Sequence, residues 1–282
     1  MLPQDFQNPY TLRGALPGPN VVIVGSIHGN ERCGGELLPV LSTIELLSGT
    51  LTLLLGNPRA FAQNVRYTEY DLNRMFLSED CYTSAQKTSY EYQRAQEIKN
   101  VLHSSDILLD IHASTSPVSP PFIICEQSGL ALARRLPMKR VVTGFDTIQP
   151  GGTDYYMNLK GGVGICIECG YLKEASTLAA ARECAYSLLQ SLGMISPLLQ
   201  RIYEEPQEVF QLSSQYFTTM NFQPTGSRAD FEKVEAGTCL GWDGESPILA
   251  ETCAVVLFQR ACEGRNEEAF LTAKKLAGNN AL

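Results

Sequence analysis

Val21-Val-Ile-Val-Gly-Ser-Ile-His-Gly-Asn-Glu31 decides how this chain is read. Its β-branched apolar run has no polar alternation, the pattern of a strand buried on both faces, as in a parallel sheet with helices above and below. A helix pattern follows over about residues 31–47, then a second apolar run, Leu51-Thr-Leu-Leu-Leu-Gly-Asn57, closed by Pro58, which disfavours helical backbone at the residue before it. Further strands are expected at 106–111, 121–125, 139–143 and 163–167, and helices over 84–102 and 175–192, the last stopped by Gly193. This alternation predicts an α/β fold, a mixed, mostly parallel sheet flanked by helices. Residues 59–80 are polar with little periodicity and read as a long ordered loop, and 151–160 as a Gly-rich loop. Beyond about residue 201 short extended segments are punctuated by Pro206, Pro224, Gly226, Gly237, Gly241, Gly244 and Pro247. Residues 1–200 are therefore expected to form the main domain and 201–282 a small β-rich C-terminal domain.

With 282 residues, 44% hydrophobic and 18% charged, the chain has the composition of a folded globular protein. A formal net charge of -8 argues against charge-driven attraction to nucleic acid or to anionic membrane. The first residues lack a basic and apolar leader, and no apolar run nears the roughly 20 residues of a membrane span. The expectation is a soluble cytoplasmic protein, and a homo-oligomer is compatible with the sequence. Nine scattered cysteines, an odd number, fit reduced thiols better than a disulfide framework.

His28 and Glu31 sit where the first buried strand gives way to a helix, the end of an α/β sheet at which ligand sites are built. An imidazole and a carboxylate so spaced can converge on one ion, although the pair taken alone is more often a capped turn with a solvated Glu. A third ligand is offered by His112, at the end of the 106–111 run. Asp110 lies two residues earlier on the same face, so it could orient His112 or pair elsewhere. Of the three histidines only His103 is set aside, as a solvated residue ending a polar helix. Zinc in catalytic sites typically takes three such ligands and a water. Glu168, a carboxylate inside the apolar run Ile165-Cys-Ile-Glu-Cys-Gly170, is costly there unless paired with a cation or working as a base. Cys166 and Cys169 around it read as packing. The segment Arg66-Tyr-Thr-Glu-Tyr-Asp-Leu-Asn-Arg74 supplies two guanidiniums and an amide, suited to a carboxylate or to Glu69, Asp71 and Glu79 nearby.

Taken in order, His28-x-x-Glu31, Asn57-Pro-Arg-Ala60, Arg66-Tyr67, Asp71-Leu-Asn-Arg-Met-Phe76, Asp110-Ile-His112 and Glu168-Cys-Gly170 resemble the aspartoacylase and succinylglutamate desuccinylase family of the zinc carboxypeptidase superfamily. The resemblance implies a zinc-carboxypeptidase-like catalytic domain and one zinc ion per chain on His28, Glu31 and His112. Glu168 would activate the water, Arg66 would polarise the scissile carbonyl, and Asn73 with Arg74 would hold a substrate carboxylate. The implied activity is hydrolysis of the amide bond of a small anionic N-acyl amino acid. A peptide-trimming metallocarboxypeptidase and a non-catalytic small-ligand binding protein are the alternatives, and a Cys-based redox or metal-storage protein is a more distant one. Two departures point away from N-acetylaspartate: residues 151–160 contain no Arg, leaving Tyr155, Tyr156 and Lys160 as substitutes, and no Asn follows His112.

Overall fold

The apolar side chains of 21–24 alternate between two cores. Val21 and Ile23 pack with Leu37, Leu109 and Ile165 on one side, and Val22 and Val24 with Ile98, Leu108 and Met157 on the other. A strand sandwiched this way has no wet face, which is why its sequence shows no alternation. The computed structural model describes residues 7–196 and 206–276. In chain order the elements are β1 (Tyr10–Arg13), β2 (Leu16–Gly25), α1 (Arg32–Leu41), β3 (Ser48–Leu55), α2 (Pro58–Gln63), α3 (Ser84–Thr88), α4 (Tyr90–His103), β4 (Ile107–Ser114), β5 (Phe122–Cys125), α5 (Leu130–Ala133), β6 (Arg140–Thr143), α6 (Phe145–Ile148), α7 (Thr153–Leu159), β7 (Val163–Tyr171) and α8 (Ser176–Ser191). The C-terminal part adds β8 (Glu208–Phe217), β9 (Phe222–Pro224), β10 (Glu232–Val234), β11 (Cys239–Asp243), β12 (Ser246–Leu249), β13 (Ala254–Leu257) and β14 (Glu268–Lys275).

Eleven strands form one sheet in the order β1-β3-β2-β4-β7-β5-β6-β8-β14-β13-β10, and β12-β11-β9 form a separate three-stranded antiparallel sheet. At its centre β3, β2, β4 and β7 run parallel. Strand β5 opposes β7, and β5, β6 and β8 are again mutually parallel. The fold is the expected α/β sheet with helices on both faces and a β-rich C-terminal region. The boundary expected at 200/201 lies outside the described residues. Among the described residues no helix is long and apolar enough to cross a membrane, and none of the nine cysteines is bonded to another.

Several local expectations are corrected. Helix α1 stops at Leu41 rather than 47, because the Ser42 and Thr43 hydroxyls turn back onto the carbonyls of Pro39 and Val40 and compete with helix continuation. The segment 59–80 is not all loop. Asn57 caps α2 by accepting the Ala60 N–H at 3.0 Å, with Pro58 at the first helical position, and Asp71 caps a 3-10 turn at Leu72–Arg74 through the Asn73 N–H. The helix expected over 84–102 breaks at Ser89, whose extended backbone ends α3 while its hydroxyl caps α4. Residues 153–159 of the expected Gly-rich loop form α7. It lies directly on β7 because Gly164 has no Cβ, which would sit 2.5 Å from the Asp154 carbonyl oxygen. The expected strand runs at 106–111 and 163–167 extend to Ser114 and Tyr171, which carries the sheet past His112 and Glu168.

The break at Ser89 has a structural consequence: it puts Glu91 in the first turn of α4, fully buried. Its carboxylate accepts from the backbone N–H groups of Thr68, Glu69 and Tyr70, from the Thr68 hydroxyl and from the Asn57 amide, over 2.6–3.3 Å. Burial alone would raise this carboxyl, but these donors outweigh it and hold it below its ordinary value. Replacing Glu91 by Ala strips the acceptor from this set of donors. We expect a loss of about 2–4 kcal/mol in denaturant unfolding, with faster hydrogen exchange at the Thr68 to Tyr70 amides.

Candidate metal centre and active-site cleft

The turn from β2 into α1 is held from several sides. Ser26, at φ 55°, donates its hydroxyl to the Glu31 carbonyl at 2.8 Å and accepts the Gly35 N–H at 3.2 Å. The Gly29 N–H reaches the Arg66 carbonyl at 3.0 Å. Gly34 lets α1 touch the end of β2, since a Cβ there would meet the Gly25 Cα at 2.8 Å. These contacts drive Glu31 down beside the end of β4, where His112 emerges, and the parallel register sets His112 next to Glu168 on β7.

Glu31 Oε1 lies 2.8 Å from His28 Nδ1 and 3.2 Å from Arg66 Nη1. Its Oε2 lies 2.9 Å from His112 Nδ1 and accepts the Ala113 N–H at 3.1 Å. The two imidazoles stand edge to face with centroids 5.0 Å apart, and one donor atom from each of His28, Glu31 and His112 falls within 4.8 Å of the others. All three residues are buried. Each ring is backed by a further carboxylate: Asp71 Oδ1 is 3.0 Å from His28 Nε2, and Asp110 Oδ2 is 3.0 Å from His112 Nε2. The second contact has ion-pair distance without hydrogen-bond alignment, and the same Asp110 oxygen accepts the Thr153 hydroxyl.

Burial would raise the Glu31 carboxyl, but His28 and His112 overcome this and hold it well below the usual carboxylate range. Burial would lower His112, yet Asp110, Cys166 and Glu31 together lift it well above its ordinary value. Asp71 is held down against burial by His28 and then Arg66. Glu168 goes the other way, pushed up to about 8 by burial and by the charge of Glu31, and its Oε2 is sealed from solvent without a hydrogen-bond partner. The Asp154 carboxyl, raised to about 6 by burial and by Asp146 and Asp110, lines the same cleft.

Two imidazole nitrogens and a carboxylate are the donor set that catalytic zinc takes, with a fourth position for water. The residues fit that ion. The Nδ1 atoms converge on Glu31, and the Nε2 atoms face carboxylates behind them. The expected ligands His28, Glu31 and His112 thus lie together, with Glu168 alongside.

Arg66, its side chain 41% exposed, pairs with Glu31 and with Asp71, the latter at 3.3 Å, while facing the cleft. Asn73 accepts the Thr153 N–H and Arg74 donates to the Asn73 carbonyl, and both line the same cleft of about 640 Å³. Tyr155, Tyr156 and Lys160 do not line it: Tyr156 packs toward Phe76, and Lys160 binds the Ser105 carbonyl. They do not stand in for the missing Arg. Instead the C-terminal strands reach the mouth, with Gln215 and Phe217 from β8, Glu268 from β14, and Phe258, Gln259 and Arg260 after β13. A shallower depression of about 810 Å³, around Arg32, Tyr171 and Lys173, adjoins the cleft at Thr115 and contains no histidine. Sequence reasoning missed Glu91, Asp154 and Phe258. Glu91 and Asp154 carried no signal beyond an acidic residue in an early helical turn.

The fold and this site combine a mixed α/β sheet with a His-Glu-His cluster at the ends of its central strands. The model of the succinylglutamate desuccinylase/aspartoacylase catalytic domain matches residues 17–191, more than half of the chain, and the chain belongs to that family. A probable aspartoacylase from a Nostoc species is 30% identical over 188 residues, 61% of this chain and 63% of the relative. The N-acyl-aromatic-L-amino acid amidohydrolase (carboxylate-forming) of Xenopus laevis is 36% identical over 125 residues, 41% of each chain. These matches span less than two thirds of each relative's length. Among solved structures, succinylglutamate desuccinylase from Vibrio cholerae superposes with a TM-score of 0.75 at 18% identity, covering 95% of this chain and 91% of the other, a likeness of fold.

A raised folded-state carboxyl binds its proton more tightly than the unfolded chain does, so its stabilising contribution is full below the unfolded value and fades as pH rises through the folded one. In metal-free protein the Glu168 contribution should therefore fall between about pH 5 and pH 8. Denaturant titrations across that range should give a downward slope in the parent protein that is reduced in Glu168→Gln. Equal slopes in the two would place the Glu168 carboxyl at an ordinary value.

Proposed function

We propose that the chain is a zinc-dependent amidohydrolase that splits small anionic N-acyl amino acids into a carboxylate and an amino acid. The observation that carries the reading is Glu168, half-buried with its Oε2 sealed from solvent and without a partner, next to the converging His28, Glu31 and His112. Zinc held by those three would acidify a bound water and polarise the scissile carbonyl. Glu168 takes the proton from the attacking water and returns it to the leaving nitrogen. Its carboxyl, held high by burial and by Glu31, ionises more readily once that neighbouring charge is neutralised. Arg66 holds the developing oxyanion, a role supported by its position over the cleft and by the carboxylates that fix it. Asn73 and Arg74 bind the substrate carboxylate. Residues 1–200 act as the catalytic unit and 201–282 as the cover that narrows the mouth, and the nine unpaired cysteines favour a reducing compartment such as the cytoplasm.

The test is Glu168→Gln, which keeps shape and removes the base. Turnover of N-acyl amino acids should fall by about 10²–10⁴-fold while metal analysis still finds one zinc per chain. Near-normal turnover in that variant would overturn the mechanism. Separately, Arg74→Ala should raise KM for N-acyl amino acids about tenfold or more, with a smaller effect on kcat. A fall in kcat at constant KM would move Arg74 out of the carboxylate-binding role.

A further inference from the structure

The two flanks of the cleft differ in chemistry. Over β2, β4 and β7 stand the histidines, Arg66, Asn73 and Arg74. Across from them Ile124 of β5, Phe145 and Ile148 of α6 and Phe258 after β13 form an apolar wall, part of one aromatic-rich core that reaches the cleft surface there, with Gln149, Gln215 and Gln259 at its edge.

Phe258 has an unusual backbone. It sits at φ 53°, a left-handed conformation that bulky side chains rarely adopt. Buried Asp230 holds it there, accepting the Phe258 N–H at 2.6 Å and the Ser119 hydroxyl at 2.5 Å. Phe231, beside Asp230, is also left-handed at φ 69°, and the Phe231 and Phe258 rings both pack on Phe122, with centroids 5.1 and 5.7 Å away. Backbone outliers of this kind persist only where surrounding contacts over-determine them, and they cluster at ligand-binding positions. Here the outcome is a ring turned toward the cleft, level with Glu168, since Phe122 pairs with Glu168 across β5 and β7.

The charges point the same way. The cations lining the cleft are Arg66, Arg74 and Arg260. Arg66 is engaged by Glu31 and Asp71, and Arg260, exposed at the rim, donates to the Glu268 carbonyl. Arg74 likewise donates to a carbonyl, that of Asn73, but lies on the polar flank and is the guanidinium assigned to the substrate carboxylate. A second carboxylate would face Asp154, Glu168 and Glu268.

We propose that the Ile124, Phe145, Ile148 and Phe258 wall receives the apolar side chain of an N-acyl amino acid, aromatic or branched, and that Phe258 is its specificity-determining residue. The proposal rests on the amide-hydrolase reading for the substrate class but concerns binding. It can therefore be tested apart from turnover, by calorimetry on zinc-loaded Glu168→Gln protein. N-acetyl-L-phenylalanine and N-acetyl-L-leucine should bind at least tenfold more tightly than N-acetyl-L-aspartate. Phe258→Gly keeps the left-handed backbone without strain and removes the ring, and in the Glu168→Gln background it should cut the phenylalanine-to-aspartate affinity ratio by about tenfold or more. Phe145→Ala should cut it as well if the whole wall is used. Aspartate binding as tightly as phenylalanine, binding of none of the three, or an unchanged ratio in Phe258→Gly would overturn the wall. Apolar preference in binding with no hydrolysis by the unaltered chain would overturn the hydrolase reading and leave the wall standing.

Discussion

The buried Glu31 carboxylate is the constraint on which the site depends. It faces two imidazole nitrogens, a guanidinium and a backbone N–H at 2.8–3.2 Å, and a carboxylate taken out of water at this depth is tolerable only with partners of that number and geometry. The partners come from three elements: His28 from its own turn, Arg66 from the segment after α2, His112 and Ala113 from β4. Glu31 therefore ties the β2 end, the Arg66 loop and the β4 end into one unit. That unit exists because Gly25 and Gly34 let α1 close on β2.

Arg66 shows how far the dependence spreads. A guanidinium on a loop is a poor catalytic group if the loop wanders, since small misplacements are costly at a reacting centre. Glu91 prevents this from below by binding three consecutive backbone N–H groups just after Arg66, and the Gly29 N–H pins the Arg66 carbonyl from the metal side. The loop is thus held largely by side-chain acceptors instead of a strand ladder.

This difference explains what the sequence discloses. Strands β2, β4 and β7 are legible because burial on both faces leaves unbroken apolar runs, and a His or Glu ending such a run is conspicuous. His28, Glu31, His112 and Glu168 can all be picked out this way. The segment 59–80 is illegible because its order comes from side-chain caps at Asn57 and Asp71 and from Glu91, which lies on a helix distant in sequence. Helix α7 is hidden for a related reason: Gly151 and Gly152 announce a turn, and nothing local reveals that Gly164, on the next strand, leaves room for a helix. The apolar wall is least visible of all, being assembled from β5, α6 and the residue after β13, each an ordinary hydrophobic position in its own segment.

The same distinction separates reaction from specificity. The groups proposed to react are fixed by parallel register and by short polar contacts that leave little freedom: a one-residue slip of β4 against β7 would turn His112 to the opposite face from Glu168. The wall opposite is fixed by packing and by a single carboxylate, Asp230, that holds one ring through its backbone. Packing of hydrophobic residues tolerates exchange of size and shape within conserved volume, whereas a charge network with a missing member leaves a buried ion uncompensated. A cleft built this way would, on the proposed reading, change what it accepts by altering Phe258, Phe145 or Ile148 while the polar groups across from them stay in place.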